Sequence, residues 1–265
     1  MMNAGGPYTS GIVQQSLVLV LFLVCSASGF GQTDWTLDVR MQSSVPFGRP
    51  AVGEGTGWGG QSLLVQEGAM TAGWGKRGTR SFGVSVRRAI GKSWQLAFGF
   101  EQTRRIWSAQ VDWLDPAGGV PEPVVVAMEW IQASYSFPLV ARTEVVLIPG
   151  WRLGAGGGLV WEILPTNAFQ SGQEEGALGQ YLSVEHETLR YGWNRWGMAL
   201  ELGVVKEGSD ADLHIGGMVR PLLQPYSQGF LTAQWNIGQP DVSVKEVQRN
   251  LDGSWWGLDV RLILH

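Results

Sequence analysis

Carboxylates and arginines spaced two residues apart are the groups in this chain best placed to do chemistry. The tetrapeptide Leu-Asp-Val-Arg occurs at 37–40 and again at 258–261. In both copies the acid and the base lie on one side of an alternating run, as in a β-strand whose other side is apolar. Opposite charges on one face of neighbouring strands attract each other. The pattern therefore predicts ion pairs that hold strands together.

The repeat also predicts a register between the two ends of the chain. If the two copies belong to the first and last strands of a closed antiparallel sheet, Asp38 lies opposite Arg261 and Arg40 lies opposite Asp259. The same register sets apolar residues against one another on the other face. Both kinds of cross-strand pair are favourable, at about 0.2–1 kcal/mol each.

Other alternating runs add charges to the same face. The predicted network comprises Asp38, Arg40, Arg87, Glu101, Arg152, Glu201, His214, Arg220, Asp259 and Arg261. An eight-stranded barrel is just wide enough inside to be filled by side chains, and a buried charge without a partner is costly. We therefore expect a filled interior of paired charges and not an open pore. Glycines on the inward face, such as Gly156, would leave room for long neighbouring side chains.

Catalytic chemistry has few candidate residues. The chain has three histidines, with no metal-type cluster and no Gly-x-Ser-x-Gly motif. One arrangement could serve a lipid-directed hydrolase: His186 and Thr188 precede a strand that carries Glu201. A threonine nucleophile needs an activating base, and the alternation sets these residues on opposite faces unless a bulge intervenes. We expect no enzymatic activity, no cofactor and no metal, and keep the hydrolase as an alternative.

The composition favours a β-protein with one face in lipid. Of the 265 residues only 16% are charged, while 38 are glycine and 14 are tryptophan. A soluble secreted β-sandwich, the alternative, would explain the glycines but not the tryptophans. The net charge of −4 gives no basic footprint, so nucleic acid is not an expected partner.

Short and long connections alternate along the chain, which is typical of barrels with tight turns on one side and long loops on the other. The short ones are predicted at 90–93, 138–142 and 206–210, and the long ones at 43–79, 114–123, 165–189 and 221–253. They leave eight strands, and an even number sets both termini on the periplasmic side. We therefore expect an all-β, closed, antiparallel, up-and-down transmembrane barrel.

Two features complicate the strand count. The stretches 61–74 and 229–237 could also be strands, which would give ten strands in the barrel or hairpins in the outer loops. In addition, the alternation slips between Phe100 and Ile106 and again between Trp130 and Ile131. A β-bulge would repair each slip.

Tryptophans lie mostly near the ends of the predicted strands. A girdle of indole rings at the two membrane interfaces is expected of such a barrel, and we assign to it Trp35, Trp94, Trp107, Trp161, Trp196 and Trp256. The alternatives are core aromatic residues of a soluble sandwich and a carbohydrate-binding cleft.

The first 31 residues have the pattern of a cleavable secretory signal. An apolar core at 17–24 is followed by small residues at 26–29, and it is too short to span a bilayer as a helix. The one cysteine, Cys25, lies in this leader. The predicted mature domain, 32–265, is a single barrel that can form no internal disulfide.

The runs 149–159 (Pro-Gly-Trp-Arg-Leu-Gly-Ala-Gly-Gly-Gly-Leu) and 257–262 (Gly-Leu-Asp-Val-Arg-Leu) resemble strands of small bacterial outer-membrane β-barrel proteins of the OmpA/OmpX-like and porin-like type, especially those of Bacteroidetes-type bacteria. The resemblance implies a monomeric barrel in the outer membrane of a Gram-negative cell envelope. Its implied partners are outer-membrane lipid and the outer-membrane insertion machinery.

The leading functional hypothesis is a non-enzymatic barrel that supports the envelope or contacts an extracellular ligand through its long loops. A narrow channel for small or apolar solutes is the first alternative, and the lipid-directed hydrolase is the second. The sequence does not name a ligand or a process.

Overall fold

A computed structural model of the chain describes most of the region after the predicted leader. The described residues are 35–44, 63–67, 70–90, 93–114, 123–165, 167–175, 181–225, 227–235, 243–251 and 253–265. The leader predicted at 1–31, parts of the predicted long loops and most of 114–123 lie outside them.

Within these residues the chain forms thirteen β-strands. They are β1 (Trp35–Ser44), β2 (Leu63–Glu67), β3 (Met70–Ile90), β4 (Trp94–Trp113), β5 (Val124–Ile148), β6 (Trp151–Ile163), β7 (Ala168–Glu175), β8 (Tyr181–Arg190), β9 (Asn194–Lys206), β10 (Ala211–Arg220), β11 (Ser227–Trp235), β12 (Ser243–Leu251) and β13 (Trp255–Leu264). No helix among the described residues has the length and apolar character needed to cross a bilayer.

Eight of the strands form a ring. Antiparallel pairing runs β1-β3-β4-β5-β6-β9-β10-β13 and returns from β13 to β1. The first and last described strands are therefore neighbours, and the predicted eight-stranded antiparallel barrel is confirmed. Alternation of side chains sets one face of each strand toward the enclosed interior and the other toward the outside.

The other strands build a second layer at one end of the barrel. The strands β3, β4 and β5 run about twice as far as a barrel needs, and β2 pairs with the free end of β3. A separate four-stranded sheet, in the order β12-β11-β8-β7, packs against these extensions. The hairpins that were an alternative for 61–74 and 229–237 are thus present, as parts of this sandwich, and the ring keeps eight strands.

The main apolar core of the molecule lies in the sandwich, while the barrel interior holds only a small apolar cluster of Val140, Val160 and Ala199. The buried residues of the main core come from both sheets and are rich in tryptophan: Met70, Ala72, Trp74, Trp107, Ala109, Val111, Trp113, Val126, Met128, Trp130, Leu164, Leu182, Val184, Leu231, Ala233, Trp235, Val247 and Leu251. The rings of Trp113 and Trp235 stack at 6.0 Å between centroids. Burial of this apolar surface is the main force that holds the two sheets together.

The polarity of β4 inverts along its length. In the barrel, Glu101, Thr103 and Arg105 face inward; further along the same face, Trp107 and Ala109 enter the sandwich core. The β4–β5 pairing from residue 101 to residue 113 has no register shift. The bulges expected at 100–106 and 130–131 are therefore wrong: the strand continues and its surroundings change.

One predicted turn is also wrong. The stretch 138–142 lies inside β5, and the connection to β6 is formed by Pro149 and Gly150, where Gly150 has a φ of 80°. Proline followed by a residue with positive φ is favourable in a type II turn. Pro138, which suggested a strand end, is accommodated beside Gly99 of β4. The connections predicted at 90–93 and 206–210 do separate consecutive strands.

Closure of the ring predicts a specific disulfide. Val39 and Leu262 are cross-strand partners on the outer face of β1 and β13. In a chain carrying Cys25→Ser, the pair Val39→Cys and Leu262→Cys should cross-link on mild oxidation, because directly paired strand positions satisfy disulfide geometry. The matched control, Leu37→Cys with Leu262→Cys, should cross-link far less. Efficient cross-linking of the control pair alone, read by gel mobility, would contradict the observed register.

Candidate functional site in the barrel interior

The barrel interior is polar and its outer wall is apolar. Large apolar side chains that remain exposed lie on the outward face of the barrel strands: Phe82, Val86, Leu96, Phe98, Leu139, Leu153, Leu159, Met198, Leu200, Leu202, Leu213, Ile215, Leu258 and Leu262. The inward positions carry buried acids and arginines instead. A site inside the barrel is therefore built mainly from charged side chains.

Each of the ten charged residues predicted for the interior takes part in one connected network. Nine of them form ion pairs at buried or nearly buried positions, and His214 lies 3.5 Å from Asp259. The structure adds Arg142, Glu144 and Asp212. All eight barrel strands contribute at least one member, so the network crosses the interior in every direction.

Glu201 and Arg40 occupy the centre of the network. The carboxylate of Glu201 accepts from Arg142 at 2.5 Å and from Arg40 at 2.8 Å, and it forms an ion pair with Arg261 at 3.0 Å. Arg40 in turn reaches Glu101 at 2.8 Å and Asp259 at 3.2 Å. Each guanidinium has several donors in a planar fork, so it can satisfy more than one carboxylate at once.

A branch of ion pairs leads from the centre to the end of the barrel that carries the short turns. Asp38 binds Arg142 at 2.7 Å and Arg87 at 3.1 Å. Arg87 reaches Glu144 at 3.2 Å, and Glu144 binds Arg152 at 2.5 Å. Arg152 continues to Asp212. The interior is thus bridged from its middle to its turn end.

Toward the sandwich the interior is bridged in two places. Arg220 binds Glu101 at 2.5 Å. Beyond it, Arg105 forms a bidentate pair with Glu162, at 2.6 and 3.0 Å, and also donates to the Gly253 carbonyl at 3.0 Å. Bidentate arginine–carboxylate pairs are among the strongest ion pairs in proteins. Side chains therefore span the interior at the level where the barrel meets the sandwich.

The predicted register between the termini is wrong by two residues. Arg40 lies opposite Arg261, and Asp38 lies opposite Ile263. Two arginines can face each other because Glu201 and Asp259 each form an ion pair with both of them. A cross-strand rule considers two strands only, whereas in a narrow barrel the partners of a charge also come from across the interior.

Glycine provides the space for these long side chains. A Cβ on Gly156 would lie 2.6 Å from the Glu201 carboxylate and 3.0 Å from Arg142. A Cβ on Gly83 would lie 2.4 Å from the Glu101 side chain. The observed positions match the expectation that inward glycines accommodate neighbouring charges.

Five interior charges were absent from the prediction: Arg105, Arg142, Glu144, Glu162 and Asp212. Arg142 had been placed in a turn, although the alternation of inward Ser136, Val140 and Arg142 continues without a break. Arg105 was not assigned to the interior because a bulge was expected between Phe100 and Ile106. A strict period-two count through Pro138 would have found Arg142 and Glu144.

The three residues considered for a hydrolase lie in different surroundings. Glu201 belongs to β9 and binds three arginines. His186 belongs to β8, in the core of the sandwich, with its ring 4.0 Å from that of Trp130. The Thr188 hydroxyl accepts from the Ala168 backbone at 2.8 Å. Among the described residues no group of three or more His, Cys, Asp or Glu is placed to hold a metal ion.

Five of the six tryptophans assigned to the girdle face outward from the barrel wall. Trp35, Trp94 and Trp196 are 47%, 54% and 51% exposed, and Trp161 and Trp256 are partly exposed. Trp107 is a correction: it is only 4% exposed and packs in the sandwich core. Its position near the end of a predicted strand suggested the girdle, but unbroken alternation from Glu101 sets it on the inward face of β4.

The outward aromatic residues define two levels on the barrel. On β6, Trp151 and Trp161 are about ten positions apart, which is the length of a membrane-spanning strand. Their partners on β9 are Lys206 and Trp196. The Lys206 ammonium lies 5.2 Å from the Trp151 ring, and Arg88 lies 5.5 Å from the Trp35 ring at the same end. Cations beside outward indoles are typical of a membrane interface.

The chain is similar to three solved structures of bacterial proteins. The outer membrane protein OprG from Pseudomonas aeruginosa is 11% identical, with 88% of this chain and 96% of that chain covered and a TM-score of 0.41. The beta domain of the Bordetella autotransporter BrkA is 7% identical, covering 87% and 97%, with a TM-score of 0.16. The low-pH structure of Pseudomonas putida OprB is 9% identical, covering 99% of both chains, with a TM-score of 0.16. No family model and no curated protein matches the chain.

Removal of the central carboxylate should destabilise the barrel strongly. The change Glu201→Gln leaves Arg40, Arg142 and Arg261 without a shared counter-charge in a buried site, which typically costs about 3–5 kcal/mol. The matched control is Glu129→Gln, because the Glu129–Arg77 pair is 61% and 66% exposed on the outer surface and such pairs contribute little. Urea unfolding followed by tryptophan fluorescence should separate the two variants; equal unfolding midpoints would contradict the central role of Glu201.

The sandwich should lose stability in acid. Burial lowers the pKa of His186 to about 4 from its ordinary value of 6.5. The unfolded chain therefore binds a proton more readily, so stability is complete above pH 6.5 and falls as the pH drops from 6.5 to 4, by on the order of 2–3 kcal/mol. Hydrogen exchange of β8 and β11 should increase over this range. The variant His186→Leu should abolish most of the pH dependence; an unchanged pH profile in that variant would contradict the assignment.

Proposed function

We propose that the barrel anchors the protein in the bacterial outer membrane without conducting solute, and that its task is to hold the sandwich outside the cell as a contact surface. The single observation that carries this proposal is the continuous ionic network through the barrel interior. Ion pairs from all eight strands bridge the lumen and obstruct the path of a solute, so we place the functional surface on the sandwich.

The outer wall supports a place in a lipid bilayer. Its outward side chains are apolar over about ten positions per strand. Indoles lie at both ends of this band, and at the turn end two of them have an adjacent cation. In water such a band would be an exposed apolar surface far larger than soluble monomers show. The start of β1, the end of β13 and the short turns lie at the end opposite the sandwich, which in this proposal is the periplasmic side.

The sandwich offers a flat outward sheet for contact. On β7 and β8 the outward positions include Phe169, Tyr181, Glu185 and Glu187, and the first two are exposed aromatic residues. Glu187 pairs across the strands with Phe169 on one side and Phe230 on the other. Exposed aromatic residues beside hydrogen-bonding groups are common in protein contact surfaces. An extracellular partner would therefore meet the protein at this sheet.

Neither alternative function has an observation in its favour. A channel would need a gap in the network, yet side chains bridge the interior at its turn end, its centre and its sandwich end. A lipid-directed hydrolase would need His186, Thr188 and Glu201 to meet, whereas Glu201 lies in the barrel ring and the other two in the four-stranded sheet.

Cysteine labelling of intact cells tests the proposed arrangement. Ser171 of β7 and Ser209 between β9 and β10 are both exposed, at opposite ends of the molecule. In a chain carrying Cys25→Ser, Ser171→Cys should react with a membrane-impermeant maleimide on intact cells. Ser209→Cys should react only after the outer membrane is permeabilised. Because both changes replace an exposed serine, they differ only in location.

Two results would contradict the proposal. Reaction of Ser209→Cys on intact cells would place the turn end outside. Recovery of the unlabelled protein in the soluble fraction after cell lysis would show that the apolar band is not in a membrane.

A further inference from the structure

Two arginines lie side by side on the outer wall of the barrel. Arg80 of β3 and Arg104 of β4 are direct cross-strand partners. Both have outward parity, since they continue the outward rows of Phe82 on β3 and of Phe98 and Phe100 on β4, and both are at least partly exposed. Cβ atoms of such partners are about 4.5–5.5 Å apart, and like charges at this distance repel each other.

No acid compensates this pair among the described residues. The outward neighbours of Arg80 are Ser43, Phe82 and Gly78, and those of Arg104 are Gln102, Ala133 and Ile106. Neither guanidinium makes an ion pair with a described carboxylate. The nearest other outward arginine, Arg77, is bound to Glu129 at 3.4 Å. Two adjacent cations without a counter-charge contrast with the ionic network of the interior, where each arginine binds a carboxylate.

The pair lies at the upper edge of the apolar band. Ile90 and Trp94 are cross-strand partners at the turn end, and about ten positions along the same strands Arg80 and Arg104 are partners in turn. One membrane span therefore separates the lower girdle from the two arginines. Headgroup phosphates of the outer leaflet lie at this depth.

We infer that Arg80 and Arg104 together bind the phosphate of an outer-leaflet lipid headgroup. The inference rests on the proposed function, because it needs the barrel to span a membrane with the sandwich outside. A phosphate between the two guanidiniums accepts several charge-assisted hydrogen bonds and cancels the repulsion between them. The lipid chains then lie against Phe82, Phe98 and Phe100 just below. The site would hold lipid on one side of the barrel, along β3 and β4.

Binding of a phosphorylated lipid to the full chain in detergent tests the inference. The probes are diphosphorylated lipid A, the same lipid A after enzymatic removal of its phosphates, and inorganic phosphate. Native mass spectrometry should show one diphosphorylated lipid A retained by the wild type. The double variant Arg80→Gln, Arg104→Gln should bind it at least about tenfold more weakly. The matched control Arg88→Gln, an outward arginine at the opposite end of the band, should bind as the wild type does.

A stability measurement separates binding from a structural role. Because the two arginines repel each other, the double variant without lipid should unfold at the same or a higher urea concentration than the wild type. Lower stability would overturn the inference, as would equal lipid binding by the double variant or by dephosphorylated lipid A. If millimolar inorganic phosphate raises the urea concentration of unfolding as much as diphosphorylated lipid A does, the site binds free anions and the inference is overturned. A wild type that stays dissolved without detergent would overturn the proposed function itself, whereas one that needs detergent but binds no lipid A overturns only this site.

Discussion

The pairing of charges inside a narrow ring is the constraint on which the rest of this structure depends. Eight strands enclose a space that side chains fill, and the chain fills it with acids and arginines whose isolated burial would be prohibitive. Glu201 and Arg40 satisfy this requirement by each binding three partners. Since the partners come from every strand, each strand must be in register for the charges to be neutralised. The network thus specifies the closure of the ring as well as its contents.

The second organising feature is a hydrophobic pattern that reverses where the strands pass from the barrel into the sandwich. Below that level the apolar residues point out, and above it the same strands bury Trp107 and Trp130 between two sheets. In β4 and β5 the reversal needs no change of backbone, because a strand presents both faces throughout, whereas β3 has a register shift between Lys76 and Gly78 at this level. The reversal also explains the composition: tryptophans lie on the outward face of the barrel and in the apolar core of the sandwich. A barrel whose lumen is bridged can then act as a rigid base for the layer above it.

Much of the barrel could be predicted from period-two alternation alone, including the neighbouring termini and the ten charges assigned to the interior. The sandwich could not, because its strands were interpreted as loops and its apolar faces as slips of register. Local rules assume one environment per strand, so they failed where β4 and β5 pass from the barrel into the sandwich. The predicted register of β1 on β13 was wrong for a related reason. The partners of Arg40 and Arg261 lie across the interior on β4 and β9 as well as on the adjacent strand. Pro138 led to the wrong prediction of a turn at 138–142, because prolines in central strands are rare.

The central claim is that paired charges close the lumen, and planar-bilayer recording tests it most directly. The purified full chain, inserted in a bilayer at neutral pH and moderate salt, should show no steady single-channel steps. The variant Glu101→Ala with Arg40→Ala removes two interior side chains that bind each other at 2.8 Å but leaves the Arg105–Glu162 and Arg152–Glu144 bridges at the two ends, so it should also show no steps. Steady steps in the wild type would contradict the account.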